Sequence, residues 1–183
     1  MDNWEHAYCI FCRSGTEEKV AAELERQHDG LLAMPVFQEK HQSRSGVRSL
    51  VREVMLPGYV FVFTRDIPED DRRFTRGNPN ALRILSDADG AAELYGENLD
   101  YARWVIRYSG LIRCSKAIRV GSKVQITEGP LKDYEGFIRE ISKKNRNGKV
   151  EIPFMGQTIS VWLPFEWVEE SNKEQANASE AST

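Results

Sequence analysis

The sequence predicts an α+β fold with an antiparallel sheet and helices over residues 1–112 and a small β-barrel over residues 120–170. In the first part, apolar strand-like runs alternate with helix-like segments, which is typical of a mixed layer of strands and helices. In the second part, short segments of period-two alternation are separated by Gly-Pro and Asn-Gly turns, which is typical of a small barrel. A basic linker at residues 113–119 separates the two parts, and the polar residues 171–183 predict a disordered tail.

The first half of the N-terminal part is predicted from local signals. An apolar strand is expected at residues 6–12, and a helix is expected after Thr16. This helix carries two glutamates in its first turn and ends at Asp29-Gly30. A second strand at residues 31–38 leads into a polar, basic hairpin with its turn at Ser45-Gly46.

The hairpin returns into a central strand at residues 54–63, which we predict to organise this part of the chain. Pro57-Gly58 marks a turn before five β-branched or aromatic residues, a composition that favours a strand. Tyr59, Phe61 and Phe63 are expected to point to one side, and the two valines between them to the other. A strand that is apolar on both faces must be covered on both, by its own domain or by a partner, and a plain core strand is the simpler interpretation.

Three further segments complete the N-terminal part. Residues 66–74 predict a short helix that opens with Ile67-Pro68, and residues 82–85 predict a short strand. Asn98 is expected to cap a helix that ends at Gly110 and has apolar residues at i, i+3, i+4 and i+7. These apolar residues, which we interpret as core, are Tyr101, Trp104, Val105 and Tyr108. The order of strands and helices indicates a ferredoxin-like layer.

The second part contains four segments that alternate between apolar and polar residues. They lie at residues 123–127, 137–141, 149–152 and 158–163, with turns at residues 129–130, 145–148 and 155–156. Strands this short and this closely spaced predict a barrel, because closure removes the exposed edges of a sheet.

Composition and cysteine usage argue against a membrane protein and against an enzyme. No apolar run reaches the ~20 residues that cross a bilayer, and the N-terminus does not resemble a secretion signal, so we expect a cytoplasmic protein. Cys9 and Cys12 are spaced like a metal or redox pair, but a strand places them on opposite faces, and Cys114 with scattered histidines does not complete a zinc site. No phosphate-binding loop, Ser/His/Asp set or HExxH motif occurs, so we expect neither catalysis nor a cofactor, with a thiol enzyme as the alternative.

Positive charge is concentrated in two stretches, although the net charge of the chain is −3. One is the predicted hairpin at residues 38–52, and the other is the segment from residue 104 to residue 123, which contains no acid. Segregated charge of this kind permits a local phosphate-binding surface on an acidic protein. Solvated faces are the alternative interpretation.

Two stretches of the chain resemble the NusG family of transcription elongation and antitermination factors. Residues 120–138 resemble a KOW motif, which consists of a strand, a Gly-Pro turn and a glycine that leads into the next strand. Upstream, residues 8–15, 20–27, 56–63 and 75–77 follow the pattern of the family's N-terminal (NGN) domain in the same order. Leu24-Glu25-Arg26-Gln27 and Thr75-Arg76-Gly77 are more similar to the specialised RfaH-like and LoaP-like paralogues than to the housekeeping member.

The resemblance implies a monomeric, non-enzymatic protein whose NGN domain binds the clamp helices of RNA polymerase. The polymerase-binding residues that it implies are Tyr59, Phe61, Leu82, Ile84 and Leu85. Two departures bear on other contacts. The predominantly acidic residues 68–71 stand where RfaH has a His-Thr-Thr segment. Met155 stands at the position before a glycine where housekeeping members have an aromatic residue that contacts Rho or a ribosomal protein. Met155 is therefore the expected partner contact of the barrel.

The resemblance to RfaH and LoaP also implies a nucleic-acid target. LoaP-like proteins are associated with a hairpin in the nascent RNA and RfaH-like proteins with displaced, non-template DNA, and we favour the RNA hairpin. The residues expected to bind it are Lys40, Arg44, Arg48, Arg52, Arg76, Arg113, Lys116, Arg119 and Lys123. A general elongation or pausing factor without RNA recognition and a KOW protein of the translation machinery are the alternatives.

Overall fold

The computed structural model describes residues 4–68 and 70–168, without the side chains of Arg48 and Asp71, and every structural statement below refers to these residues. The tail predicted at residues 171–183 lies outside them, as does Glu69 of the acidic stretch at residues 68–71. The described chain has a mixed α/β architecture with few helices, as the sequence predicts.

The N-terminal part contains two sheets and two α-helices among the described residues. Its elements are β1 (His6–Cys12), α1 (Glu17–Gln27), β2 (Leu31–Pro35), β3 (Phe37–Arg44), β4 (Val47–Val54), β5 (Tyr59–Thr64), β6 (Ala81–Ile84), α2 (Gly96–Arg107) and β7 (Leu111–Ile112). The larger sheet is antiparallel with the order β2-β5-β1-β6, so β5 lies inside it, as predicted. The smaller sheet has the order β4-β3-β7 and carries the predicted hairpin, with Ser45 and Gly46 at positive φ in its turn.

The alternation of β5 divides its side chains between two cores. Val60 and Val62 belong to the core that contains the apolar residues of α1. Phe61 and Phe63 belong to the core on the other side of the sheet, which contains the buried residues of α2. The prediction that this strand is apolar on both faces and covered on both is confirmed.

The C-terminal part forms one curled five-stranded sheet. Its elements are β8 (Ser115–Val120), β9 (Lys123–Glu128), the short helix α3 (Pro130–Asp133), β10 (Ile138–Ser142), β11 (Asn147–Phe154) and β12 (Gln157–Trp167), with the strand order β10-β11-β12-β8-β9. Residues 115–119, which the sequence assigns to the linker, belong to β8, which pairs with β12 and β9. Ser115 and Ala117 are buried in this strand, so only Arg113 and Cys114 separate β7 from the C-terminal sheet.

Three local predictions are wrong at the level of individual elements. The strand expected at residues 31–38 is divided between β2 and β3 at Val36. The helix expected at residues 66–74 is a single 3₁₀ helix, Asp71–Phe74, because the Asp70 side chain accepts a hydrogen bond from the Arg72 N–H and begins it there. Asn98 does not cap α2, which begins at Gly96 and thereby leaves the Asn98 side chain available for another contact.

Candidate functional site

The turn before β5 is held by a buried carboxylate from α1. Gly58 has φ +86°, and a Cβ there would lie 3.0 Å from the Cys12 carbonyl oxygen and 3.1 Å from the Phe11 ring. Its N–H donates to Glu17 Oε1 at 2.7 Å, and the Gly15 N–H donates to the same oxygen at 3.0 Å. Glu17 therefore fixes both the entry to α1 and the start of β5. The sequence predicted only its place in the first turn of the helix and not its bond to the turn before β5.

Four aromatic residues of β5 and α2 form a continuous surface, called here the aromatic face. It consists of Tyr59, Phe61, Tyr101 and Trp104. The Phe61 and Tyr101 ring centroids are 5.7 Å apart, and Tyr101 stacks on Trp104 at 5.6 Å with an interplanar angle of 21°. Because Phe61 points out of the sheet toward α2, strand and helix contribute to one surface.

The C-terminal sheet covers the aromatic face. The Phe154 ring, at the end of β11, lies 5.5 Å from that of Phe61 and 5.3 Å from that of Tyr101. The Tyr134 ring, which follows α3, lies 4.7 Å from that of Trp104 in an edge-on arrangement. Phe61 is 0% exposed in this closed arrangement, with a side chain of the other part of the chain among its neighbours.

A few polar contacts hold the closed arrangement around this apolar centre. The Met155 N–H donates to Asn98 Oδ1 at 2.7 Å, which is the contact that the displaced helix start makes possible. The Asp133 carboxylate accepts from the Tyr108 hydroxyl at 2.8 Å and from the Arg107 guanidinium at 3.2 Å. Burial and the hydrogen bond to Asp133 raise the pKa of Tyr108 to about 12.

The structure brings together only some of the residues predicted to bind polymerase. Tyr59 and Phe61 lie in the aromatic face, and Leu85 is buried in the same core. Ile84 packs against the core on the opposite side of the sheet, next to α1. Leu82 is 50% exposed on the edge strand β6. Tyr101 and Trp104, which the sequence assigned to the core, are buried there, and Phe154 and Tyr134 of the C-terminal part are among the rings that cover them.

Met155, the predicted contact of the barrel with other proteins, lies at the edge of the same interface. It is half-buried, has φ +50° in the turn between β11 and β12, and packs against the core that includes the aromatic face. In the closed arrangement its backbone N–H contributes to the contact between the two parts of the chain.

The cations of the hairpin are divided between its two faces. The register places Lys40 and Arg44 on one face and Arg52 on the other. Arg52 bonds to Glu18 at 3.0 Å and lies 3.6 Å above the Phe37 ring, whereas Lys40 pairs with Glu53 at 3.2 Å. Arg44 is exposed, and the Arg48 side chain lies outside what the structure describes.

The remaining predicted nucleic-acid contacts are spread along the surface. Lys116 pairs with Glu128 at 2.8 Å, Arg76 pairs with Asp70 at 2.7 Å, and Arg119 lies 4.6 Å above the Trp167 ring. Arg113 and Lys123 are exposed. Exposed ion pairs of this kind contribute only ~0–1 kcal/mol, so a phosphate could replace the carboxylate at little cost.

The thiols are placed as the sequence predicts. Cys9 and Cys12 are buried in the cores on opposite sides of the sheet, and burial raises the pKa of each thiol. Burial, with the nearby carboxylates of Glu166 and Glu39, raises the pKa of Cys114 to about 12. Within residues 4–68 and 70–168, no group of three or more His, Cys, Asp or Glu side chains could hold a metal ion. Over the same residues, no helix has the length and apolarity needed to span a membrane.

Comparison with known proteins adds an independent observation. A family model described as "Transcription termination factor nusG" matches residues 4–100, slightly more than half of the 183 residues. Similar curated proteins include the transcription termination/antitermination proteins NusG of Thermus thermophilus (24% identity; 88% of this chain and 96% of that protein) and Bacillus subtilis (26%; 89% and 95%). A solved structure, "Domain interaction in Thermotoga maritima NusG", matches 87% of this chain and 93% of its own with a TM-score of 0.51 and 22% identity, which shows a shared fold.

Proposed function

Because this chain belongs to the NusG family, we propose that it is a transcription elongation and antitermination factor that binds the clamp helices of RNA polymerase. We assign the N-terminal part to the NGN domain and the C-terminal sheet to the KOW barrel. The observation that carries the proposal is the aromatic face, which is covered by the other domain of the same chain through Phe154 and Tyr134. A surface built from two elements and covered by a separate domain can be uncovered without unfolding either.

The aromatic face has the composition of an interface centre. Aromatic anchors at a desolvated centre dominate the energy of many protein interfaces. Burial of one large apolar side chain stabilises by ~1.5–3 kcal/mol, so Phe61, Tyr101 and Trp104 together could provide most of a specific binding energy. The clamp helices and the barrel would compete for this face, and the apparent affinity for polymerase would fall with the fraction of closed molecules.

The proposed action requires no catalysis. A factor that holds the clamp across the nucleic-acid channel binds the closed-clamp state of polymerase better than the paused or open-clamp state. Differential binding of this kind shifts the population of polymerase toward continued elongation.

We propose a nascent RNA hairpin as the recruiting signal, bound by the exposed cations of the β3–β4 hairpin and of the start of the barrel. Arg44 and Arg113 are exposed, and Lys40 is held only by an exposed ion pair. Arginine binds phosphate in a bidentate manner, and structured RNA is recognised through its backbone and shape. If several phosphates are neutralised, RNA affinity falls steeply with salt.

The experiment that tests the function combines a pull-down of bacterial RNA polymerase, with and without a leader RNA, with terminator read-through in vitro. Trp104→Ala in a Phe154→Ala background, in which the barrel competes less for the aromatic face, is expected to reduce polymerase retention and read-through relative to Phe154→Ala alone, because it removes an aromatic ring of the aromatic face. Val120→Ala, which removes a 51% exposed side chain from β8, serves as the control. Equal retention of Phe154→Ala with and without Trp104→Ala would contradict the proposed binding face.

The RNA component has its own test. Arg44→Ala combined with Arg48→Ala is expected to abolish retention of the leader RNA in a gel shift and to leave polymerase retention unchanged. Lys19→Ala, which removes an exposed cation from α1, is the matched control. RNA retention equal to the wild type in the double variant would remove the β3–β4 hairpin from the proposed RNA site.

The family match also bears on the alternative of a KOW protein of the translation machinery. Such a protein would share the barrel but would not need the N-terminal part, and residues 4–100 carry the match to the family. Recruitment of Rho or a ribosomal protein through Met155 remains part of the proposal. It requires the open arrangement, because Met155 is engaged with Asn98 in the closed one.

A further inference from the structure

A groove of about 720 Å³ separates the β3–β4 hairpin from the C-terminal sheet. One wall comes from β3 and includes Gln38, Lys40 and His41, and the other comes from the C-terminal sheet and includes Asn147, Ser160 and Trp162. His41 Nε2 lies 3.2 Å from the Phe165 carbonyl oxygen, so one side chain of the first wall reaches the second. The volume is sufficient for a ligand of nucleotide size, since small-molecule sites enclose ~300–1,000 Å³.

Two residues that line this groove carry buried amide oxygens with no hydrogen-bond partner among the described residues. Gln38 is 9% exposed, and its Nε2 donates to Glu53 Oε1 at 2.8 Å, which fixes the orientation of the amide. Its Oε1 then has no donor, and Asn147 Oδ1 on the opposite wall also has none. Both oxygens are shielded from solvent in the closed arrangement. Because buried acceptors are normally satisfied, a ligand that brings N–H or O–H donors would gain by displacing the walls enough to reach them.

The remaining features of the groove match a nucleotide. Trp162 is 38% exposed on the C-terminal wall and offers an indole ring for stacking. Lys40 lies on the hairpin wall, and Lys144, which is exposed, precedes the lining residue Asn145 at the other rim. Stacking on an aromatic ring next to a cationic rim is the general means by which proteins bind single-stranded nucleic acids.

We propose that this groove binds an unpaired nucleotide of a single-stranded nucleic acid. The base stacks on Trp162 and, once the walls have moved enough to expose them, donates its exocyclic amino or ring N–H groups to Gln38 Oε1 and Asn147 Oδ1. The flanking phosphates lie beside Lys40 and Lys144. The inference deepens, and rests on, the proposed recognition of nucleic acid, and it can be tested in the absence of polymerase.

The location of the groove has a consequence for regulation. Its two walls belong to different domains, so a nucleotide that contacts both stabilises the closed arrangement. The closed arrangement covers the aromatic face. Occupation of the groove and binding of a partner to the aromatic face therefore oppose each other, and linkage requires that each weakens the other by the same factor.

The test uses the full chain and 5′-fluorescein-labelled octaribonucleotides rA8, rC8 and rU8, with binding followed by fluorescence anisotropy at 50 and 200 mM salt. At least one octamer is expected to bind the wild type, more weakly at the higher salt concentration. Trp162→Ala is expected to weaken that binding at least tenfold, and Trp162→Phe, which keeps a stacking ring, by less than about threefold. Val120→Ala removes an exposed apolar side chain (51%) from β8 of the same sheet, outside the groove, and is expected to leave binding unchanged.

Each outcome decides the inference. Unchanged binding by a folded Trp162→Ala variant, verified by its thermal melting curve, would overturn it. So would the failure of all three octamers to bind, which would point to a protein ligand instead. If Trp162→Ala loses octamer binding while the wild type fails to retain polymerase, the groove stands and the polymerase proposal does not. If Trp162→Ala keeps octamer binding while the wild type retains polymerase, the polymerase proposal stands and the groove does not.

Discussion

Phe154→Ala is the most informative change, because this side chain belongs to the C-terminal sheet and its ring contacts the N-terminal part. Phe154 is 3% exposed, and its ring lies within 5.3–6.4 Å of those of Tyr101, Phe61 and Tyr59. Loss of this burial is worth ~1.5–3 kcal/mol, which corresponds to a shift of the closed-to-open ratio by about 10- to 150-fold. The ring is the last of the buried row of β11, so we expect both domains to stay folded.

Two measurements follow the shift. The Met155 amide, whose hydrogen bond to Asn98 crosses the interface, is expected to exchange with solvent faster by about the same factor. Apparent affinity for polymerase is expected to rise by up to this factor, because a larger fraction of molecules is competent to bind. Val120→Ala, which removes a 51% exposed side chain from β8, is the control and is expected to change neither. Unchanged Met155 exchange in Phe154→Ala would refute the assignment of this ring as the main contact that holds the chain closed.

Three further outcomes are expected. Glu17→Ala lowers the free energy of unfolding in urea by about 2–4 kcal/mol, since the Gly15 and Gly58 N–H groups lose their acceptor, and Glu17→Gln lowers it less. The closed arrangement loses stability as the pH rises from 10 toward 12, because the pKa of Tyr108 is raised to about 12 and its hydroxyl resists ionisation only in the closed arrangement. The protection of the Met155 amide against hydrogen exchange, compared between the wild type and Asp133→Ala, measures this loss. The native thiols react with Ellman's reagent at pH 8 far more slowly than in urea, because burial raises each thiol pKa.

Each of these outcomes can be contradicted. A loss of less than about 1 kcal/mol in Glu17→Ala would show that the turn before β5 does not depend on the carboxylate. Protection of the Met155 amide that is constant through pH 12, or equal in Asp133→Ala and the wild type, would exclude the Tyr108 contact as a determinant. Rapid labelling of a native thiol would indicate that it is not protected by the fold.

The elements that local patterns specify were predictable from the sequence. The alternation of β5 correctly placed Val60 and Val62 in one core and Phe61 and Phe63 in the other, because strand geometry fixes the direction of successive side chains. The Ser45-Gly46 turn was predictable for a similar reason, since a two-residue hairpin requires positive φ.

Features that depend on distant parts of the chain were not predictable. The Asn98 side chain fits an N-cap by local rules, yet it accepts a hydrogen bond from the N–H of Met155, 57 residues away in the other part of the chain. Trp104 fits a core stripe, and only the position of Tyr134 shows that its neighbour is a separate domain. Gln38 and Asn147 line one groove because the two parts of the chain pack together, a relation that no sequence spacing encodes.

The central claim is that polymerase replaces the C-terminal domain on the aromatic face. Hydrogen–deuterium exchange of the full chain, measured by mass spectrometry with and without core RNA polymerase, tests it most directly. We predict faster exchange in the peptide that contains Phe154 and Met155 and slower exchange in the peptide that contains Trp104. Unchanged exchange in both peptides when polymerase is bound would contradict the account, because polymerase would then be held elsewhere on the chain.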